Sequence, residues 1–220
     1  MTEQSFEPMR RAMIASQLRT TGVNDPRVLA AMGAVPRERF VPEARRPLAY
    51  ADALVPLKPG RDLNPPMTLG RLLTEASPRP GDAALVVGAA TGYSAAVMAH
   101  LAGSVVAVEE DAELAAAAEA ALAGSNVGSN VIVVVGPPAN GHAAAAPYDL
   151  ILIDGAVEFI PDALIAQLRD GGRLAAAILD EGVTRIAIGR KAGEGFAMVP
   201  VADAEAAILP GFAAPRGFTF

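Results

Sequence analysis

Short apolar runs alternate with helical segments through residues 83–179, and this alternation constrains the fold more than any other feature of the chain. The runs are hydrophobic on both faces, as in the strands of a parallel sheet that is covered by helices on each side. We therefore predict an α/β fold with a mostly parallel, doubly wound sheet. The predicted strands are Ala83–Val87, Ser104–Val108, Val131–Val135, Leu150–Ile153 and Leu174–Leu179, and the predicted helices are Tyr93–Leu101, Asp111–Leu122 and Pro161–Leu168.

One apolar run is more regular than the others, and the alternation of strand and helix ends after Leu179. Val131–Val135 is five consecutive β-branched residues, which is the strongest signal for a buried strand in the chain. In the C-terminal part, the stretches Arg185–Gly189, Met198–Val201 and Ala206–Leu209 are candidates for antiparallel strands at the edge of the sheet.

The first 80 residues have a different organisation. Apolar residues at helical spacing predict a helix over Phe6–Leu18, and Asp25 followed by Pro26 predicts the start of a second helix. A third helix is predicted over Thr68–Ala76, before the breaker Pro78–Gly81. We therefore divide the chain into a helical and irregular cap, residues 1–80, and a sheet domain, residues 81–220, within one compact unit.

Composition excludes several classes of function. The net charge is −6, so the chain lacks the basic surface that nucleic acids or anionic membranes attract. It contains no Cys, and its two histidines, His100 and His142, stand far apart, so we expect no metal site. No apolar run reaches the roughly 18 residues of a membrane span, and the acidic N-terminus does not resemble a signal peptide. We expect a soluble, cytoplasmic protein.

The loop after the first predicted strand is the first candidate site. It reads Gly88–Tyr93, GAATGY, and Glu109 ends the next strand 21 residues after Gly88. In doubly wound sheets, a glycine-rich turn at this point approaches a nucleotide, and an acid about 20 residues later accepts hydrogen bonds from ribose hydroxyls. Each part also has an ordinary interpretation, as a βα turn and as a solvated acid at a strand end.

Several strings occur in the order and spacing of one enzyme family. The most specific is Val35–Pro42, VPRERFVP, which is followed by Ala49–Asp52, AYAD. Shorter matches lie at Gly92–Val97, Pro147–Asp149 and Gly171–Leu174. On these residues, the chain resembles the protein-L-isoaspartate O-methyltransferase family over nearly its whole length.

This resemblance implies both a fold and a reaction. The fold is that of the Rossmann-like S-adenosylmethionine methyltransferases, with extra N-terminal helices and a C-terminal extension. The reaction transfers the methyl group of S-adenosylmethionine to the carboxylate of an isoaspartyl residue in a damaged protein or peptide. A carboxylate, with a pKa of about 4, is already ionised at neutral pH, so the reaction depends on alignment and desolvation of the reactants. The lack of a catalytic Cys or His is therefore no objection.

The resemblance also assigns residues to the site. Asn64 stands where the family has a catalytic Ser that is thought to contact the substrate carboxylate, and Pro65 and Pro66 follow it on the substrate side. The positions that match the family's cofactor-binding residues are Gly88, Ala90, Gly92, Tyr93, Glu109 and Pro137.

Five positions of the assigned site depart from the family's pattern. Asn64 is bulkier than Ser, Val86 replaces an acidic residue, and Ala90 replaces the central Gly of the cofactor loop. If the Ala90 position needs a positive φ, its methyl group costs roughly 1–2 kcal/mol. Pro137 and Pro138 replace the Asp and Gly that hold the adenine, which removes a carboxylate acceptor and a backbone N–H.

These departures leave the function open between three alternatives. The chain is a methyltransferase with a remodelled site and weakened S-adenosylmethionine binding, or a non-catalytic member that serves as a binding or assembly module and has lost cofactor binding. The third alternative is a methyltransferase for another acceptor.

Two further features have two interpretations each. Asp154, at the end of the fourth predicted strand, points to the same crevice or caps a turn before Gly155. Three Phe residues near the C-terminus belong to the core or form a partner or dimer contact. They are Phe212, Phe218 and Phe220.

Overall fold

The strands of the computed structural model form a two-stranded hairpin and a seven-stranded sheet. The model describes residues 5–124 and 128–214. The hairpin consists of β1 (Val55–Lys58) and β2 (Arg61–Leu63). The sheet consists of β3 (Ala83–Val87), β4 (Ser104–Glu109), β5 (Val131–Val135), β6 (Tyr148–Val157), β7 (Leu168–Asp180), β8 (Val183–Ala192) and β9 (Gly195–Asp203).

The helices surround this sheet. They are α1 (Glu7–Ala12), which continues as a π-helix over Met13–Leu18, then α2 (Pro26–Ala34), α3 (Pro66–Ala76), α4 (Tyr93–Ala99), α5 (Ala112–Ala123) and α6 (Asp162–Ala166). Short 3-10 turns connect them, at Arg19–Thr21, Arg37–Phe40, Glu43–Leu48, Gly128–Asn130, Pro138–Asn140 and Ala143–Ala145. Among the helices of the described residues, none is both long enough and apolar enough to cross a lipid bilayer.

The strand order, β5-β4-β3-β6-β7-β8-β9, confirms the predicted doubly wound sheet. β3 to β7 are parallel to one another, and β8 and β9 are added as antiparallel strands at the edge. The chain moves outward from β3 through β4 to β5 and then returns to the other side of β3 with β6. This reversal opens a crevice at the carboxyl ends of the three central strands, where such sheets bind ligands.

The structure also contains the two helix boundaries that the sequence predicts near the N-terminus. Asp25 caps α2 by accepting a hydrogen bond from the backbone N–H of Arg27 at 2.8 Å. Gly22 ends the first helical segment with a φ of 89°. The N-terminal helices, α3 and α4 cover one face of the sheet and share one hydrophobic core with it, while α6 and Phe212 belong to the core on the other face. Phe218 and Phe220 lie outside the described residues.

Several predicted elements differ from the structure in their ends, and three of the differences have a clear physical reason. Val131–Val135 is not a buried strand but the outer strand of the sheet, with Ile132 65% and Val135 59% exposed. An apolar run does not reveal whether a strand has one neighbour or two. The helix predicted over Pro161–Leu168 ends at Ala166, because Leu168 already pairs with Tyr148 in the sheet.

The prediction of an edge strand over Ala206–Leu209 is wrong. Only an isolated bridge between Ile208 and Ala156 forms there. The segment runs across the carboxyl end of β6, where the backbone N–H of Leu209 donates to the carbonyl oxygen of Ala156 at 2.9 Å. Its place is therefore over the crevice and not along the sheet edge.

Candidate active site

The loop between β3 and α4 has an unusual backbone conformation. Gly88, Ala90 and Gly92 have positive φ values of 74°, 49° and 89°. The turn is tied to the neighbouring strand, because the N–H groups of Gly88 and Ala89 donate to the carbonyl oxygen of Val108 at 2.9 and 3.0 Å. The Ala90 position therefore does need a left-handed conformation, in which its methyl group costs roughly 1–2 kcal/mol.

Glu109 lies in the crevice at the end of β4 and is fully buried. Its Oε1 accepts hydrogen bonds from Arg61 Nη1 at 2.5 Å and from the N–H of Asp111 at 3.1 Å. Its Oε2 accepts from Arg61 Nη2 at 2.7 Å and from the N–H of Ala90 at 2.7 Å. A carboxylate has about four acceptor sites, so every one of them is engaged within the protein.

Arg61, the partner of Glu109, begins β2 and is itself 8% exposed. Burial lowers the pKa of its guanidinium, but the hydrogen bonds and the charge of Glu109 outweigh this effect, so the pKa is raised and the pair is ionic. The same hairpin carries Lys58, which donates to Asp111 at 2.5 Å and to Glu113 at 2.9 Å. Cations from both hairpin strands thus bind acids at the end of β4 and the start of α5.

Sequence reasoning missed Arg61, because it lies in no motif that the family resemblance assigns. A signal was available. A crevice acid that becomes fully buried needs a cation or several donors, since an unpaired buried charge is costly.

The C-terminal segment Ala206–Leu209 covers the crevice at the end where the Gly88 loop lies. A Cβ placed on Gly88 would lie 2.5 Å from Leu209 Cδ1, and one on Gly155 would lie 2.8 Å from Leu209 Cβ. The backbone N–H of Ala156 donates to the carbonyl oxygen of Ala207 at 2.6 Å. Gly88, which follows β3, and Gly155 in β6 therefore leave room for Leu209, which is 4% exposed.

Asn64 connects three parts of the chain. It is 3% exposed, and its Nδ2 donates to Asp154 Oδ1 at 2.7 Å. Its Oδ1 accepts a hydrogen bond from the N–H of Ala207 at 2.7 Å. Both ends of the amide are thus bound to protein groups. Pro65 and Pro66, the other residues assigned to the substrate side, are buried at the start of α3.

Asp154 lies within β6 and belongs to the crevice, not to a turn cap. Burial raises the pKa of its carboxyl, against the opposing effects of the nearby Ser94 hydroxyl, the hydrogen bond from Asn64 and the charges of Arg37 and Arg61. The Asp154 carboxylate is therefore poorly solvated, and the neighbouring groups compensate only part of its charge.

Arg37 is a second buried cation beside this crevice. It donates from Nε to the carbonyl oxygen of Ala49 at 2.6 Å and from Nη2 to that of Asn64 at 2.5 Å. Its guanidinium carbon lies 4.6 Å from the centre of the Tyr93 ring. Burial lowers the pKa of Arg37. The VPRERFVP string thus supplies a side chain that supports both the backbone of Asn64 and the first residue of α4.

The remaining predicted positions lie at the border of the crevice or outside it. Pro137 and Pro138 follow β5, and the N–H of Gly136 donates to the carbonyl oxygen of Glu109 at 3.0 Å, which places this turn beside the acid. Val86 packs in the core that β3 shares with the N-terminal helices. The structure thus brings Gly88, Ala90, Gly92, Tyr93 and Glu109 together, with Asn64 nearby through Asp154.

A seven-stranded, mostly parallel sheet with its crevice at the reversal of strand order defines the Rossmann-like methyltransferase fold. A solved protein-L-isoaspartate O-methyltransferase superposes with a TM-score of 0.80 at 23% identity, covering 93% of this chain and 67% of that chain. A putative protein-L-isoaspartate O-methyltransferase from Plasmodium falciparum, in complex with S-adenosyl-L-homocysteine, gives 0.77 at 18% identity, covering 94% and 99%. At these identities the likeness establishes the fold.

Sequence comparison establishes the family. The family model described as protein-L-isoaspartate(D-aspartate) O-methyltransferase matches residues 9–205. Protein-L-isoaspartate O-methyltransferase 1 of Rhodopseudomonas palustris (strain HaA2) is 41% identical over 170 residues, 77% of this chain and 69% of the relative. The enzyme of Koribacter versatilis (strain Ellin345) is 43% identical over 166 residues, 75% and 74%. The chain belongs to the protein-L-isoaspartate O-methyltransferase family, which confirms the resemblance.

In this conformation, the crevice does not fit S-adenosylmethionine, the cofactor that the family implies. A ribose needs free lone pairs on Glu109, and all of them are engaged by Arg61 and two backbone N–H groups. The space beside Gly88, where the backbone would approach the ligand, is filled by Leu209. A bound adenosyl group therefore requires side chains of this protein to move.

Proposed function

We propose that this chain is an S-adenosylmethionine-dependent methyltransferase that esterifies isoaspartyl carboxylates in damaged proteins or peptides, as a step of protein repair. The observation that carries the proposal is the family match over residues 9–205, together with relatives that are 41–43% identical and bear this enzyme's name. The comparisons contain nothing that favours the alternative of a non-catalytic scaffold.

The acceptor places modest chemical demands on the protein. An isoaspartyl carboxylate, with a pKa of about 4, is ionised at neutral pH and requires no general base. What the protein must supply is a fixed position for the acceptor and a crevice from which water is excluded. The buried surroundings of Asn64, Asp154 and Tyr93 are suited to the second requirement.

The proposal assigns the two sides of the crevice to two ligands. The donor side consists of the turn from Gly88 to Tyr93, with Ala90 and Gly92 in it, together with Glu109 and Pro137. The acceptor side consists of Asn64, Pro65 and Pro66. The hydrogen bond between Asn64 and Asp154, which lies within β6, supports this assignment, because β6 pairs with β3, the strand that precedes the donor loop.

We further propose that the protein acts in the cytoplasm. The chain contains no Cys, so it gains no disulfide from an oxidising compartment. Fractionation of the source cells with an antibody against the protein would test this point.

A methylation assay tests the function. The purified protein is incubated with radiolabelled S-adenosylmethionine and a peptide that contains isoaspartate, with the same peptide containing aspartate as the control. We expect base-labile methyl ester on the isoaspartyl peptide alone. Equal labelling of both peptides would indicate another acceptor specificity, and the absence of both labelling and binding of S-adenosylhomocysteine at millimolar concentration would contradict the proposal.

A further inference from the structure

The pair between Arg61 and Glu109 suggests a role for the arginine in the proposed reaction, and the inference rests on that proposed function. The guanidinium meets the carboxylate with two parallel hydrogen bonds, of 2.5 and 2.7 Å, in a place where the side chains are 9% and 0% exposed. This is the bidentate geometry with which arginine recognises carboxylates in general.

Binding of the donor must break this pair. Glu109 has no free lone pair for the ribose hydroxyls while Arg61 is bound to it. Once the ribose takes over Glu109, the guanidinium is left in a largely buried place without a partner, which is unfavourable unless another anion replaces the carboxylate.

Among the described residues, no other acid that interacts with Arg61 is an equivalent replacement for Glu109. Besides Glu109, the acids that interact with Arg61 are Glu110 and Asp154. Glu110 is exposed, so its attraction is screened by water. Asp154 is buried and already accepts a hydrogen bond from Asn64.

The acceptor side of the proposed function, Asn64–Pro66, lies close to Arg61 along the chain. Arg61 precedes Asn64 by three residues, roughly 10 Å of extended chain, and it feels the charge of Asp154, to which Asn64 is bonded. We propose that Arg61 binds the free carboxylate of the isoaspartyl acceptor, and that Glu109 occupies this guanidinium until the donor arrives. Arg61 is then a residue of both sites, closing the donor site when empty and anchoring the acceptor when the donor is bound.

This exchange predicts effects of opposite sign when Arg61 is replaced. Removing the guanidinium leaves Glu109 free for the ribose, so the donor binds more tightly. The same change removes the anchor of the acceptor carboxylate, so the KM of the isoaspartyl peptide rises. An arginine with a merely structural role would weaken both ligands together when replaced.

The test compares wild type, Arg61→Gln and Arg61→Lys in the full chain. Calorimetry gives the Kd of S-adenosylhomocysteine, and methylation kinetics give the KM and kcat for the isoaspartyl peptide. For Arg61→Gln we expect the Kd to fall at least about threefold and the KM to rise at least about tenfold, because one charged bidentate partner is lost. Arg61→Lys keeps the cation and gives a folded comparison with intermediate changes in the same directions.

Arg173→Gln is the matched control. Arg173 forms an equally buried pair with Asp82, with both side chains 6% exposed, before the start of β3 and away from the crevice. The Arg173→Gln substitution should lower the stability of the protein without moving the Kd of S-adenosylhomocysteine and the KM of the peptide in opposite directions. Unchanged or parallel effects on the two ligands in both Arg61 variants overturn the proposal. Failure of wild type and both variants to bind S-adenosylhomocysteine at millimolar concentration overturns the proposed function instead.

Discussion

Leu209 lies against Gly88, so that a Cβ on this glycine would be 2.5 Å from Leu209 Cδ1. The glycine serves here to admit a side chain of the C-terminal segment, in addition to allowing the φ of 74° that the turn requires. The same position in a doubly wound sheet usually faces a nucleotide. The C-terminal segment therefore closes the loop at Gly88 from one side, and Arg61 engages Glu109 in the same crevice.

Gly88→Ala should cost about 2–4 kcal/mol of the free energy of unfolding, because left-handed strain adds to the collision with Leu209. Urea denaturation measures the change. Gly171→Ala is the control, since Gly171 has the same φ of 74° but nothing within 4 Å of its Cβ position. Equal losses in both variants would mean that Leu209 does not press on Gly88.

Ala90→Gly should raise the free energy of unfolding by about 0.5–1 kcal/mol, because the glycine relieves the left-handed strain at φ 49° and loses part of this gain to unfolded-state entropy. The neighbouring Ala89, buried and without a positive φ, is the matched position, and Ala89→Gly should lower stability. Chemical denaturation of both variants measures their free energies of unfolding. A loss of stability in Ala90→Gly would contradict the prediction that Ala90 is strained.

Asn64→Ser, which restores the family's residue, should cost about 1–3 kcal/mol, since a hydroxyl cannot span from Asp154 to the N–H of Ala207 and leaves buried groups unpaired. Thermal unfolding measures the loss. Asn130→Ser provides a comparison, because Asn130 is only partly buried and its amide donates to the backbone carbonyls of Ala99 and Ala102. The prediction fails if the Asn64 variant is as stable as wild type.

Asp154 predicts a specific pH dependence of stability. Its pKa in the folded protein is raised above 3.8 by burial, so the folded state holds this proton more tightly than the unfolded state. Its contribution to stability is therefore greatest below pH 3.8 and is lost as the pH rises from there through the raised pKa. Asp154→Asn keeps an acceptor for Asn64 and removes the titration.

Urea midpoints measured between pH 4 and 7 test this effect as the difference between wild type and Asp154→Asn. The variant should gain on wild type as the pH rises. Parallel pH profiles would show that Asp154 does not titrate differently in the folded state, whereas a gain of wild type on the variant would reverse the assigned direction of the pKa.

The double change Pro137→Asp with Pro138→Gly should tighten S-adenosylhomocysteine binding about tenfold or more, because it restores an acceptor and an N–H at roughly 1 kcal/mol each. These residues follow β5 beside Glu109, where the turn already bonds to the strand end through Gly136. Calorimetry gives the Kd values. The single change Pro137→Ala is the control, and no difference between it and the double variant would show that the adenine does not reach this turn.

Much of the fold could be read from local patterns. The apolar runs predicted the ends of β3 and β5 to the residue, and Asp25 and Gly22 marked helix ends that the structure retains. These features depend on neighbours within a few residues, through backbone conformation, capping and the alternation of strand and helix. The same applies to the loop at Gly88 and to the acid at Glu109, which follow adjacent strands of the sheet.

The contacts that close the crevice could not be predicted from local sequence patterns. Arg61 and Glu109 are separated by 48 residues, and the contact of Leu209 with Gly88 joins the C-terminal segment to the first strand of the main sheet. The exposure of β5 likewise depends on its having one neighbour. Local sequence sets backbone geometry and hydrophobic pattern, so it determined the sheet, the loop and the family. Which buried charge meets which partner depends on how distant segments pack together, and that appears only in three dimensions.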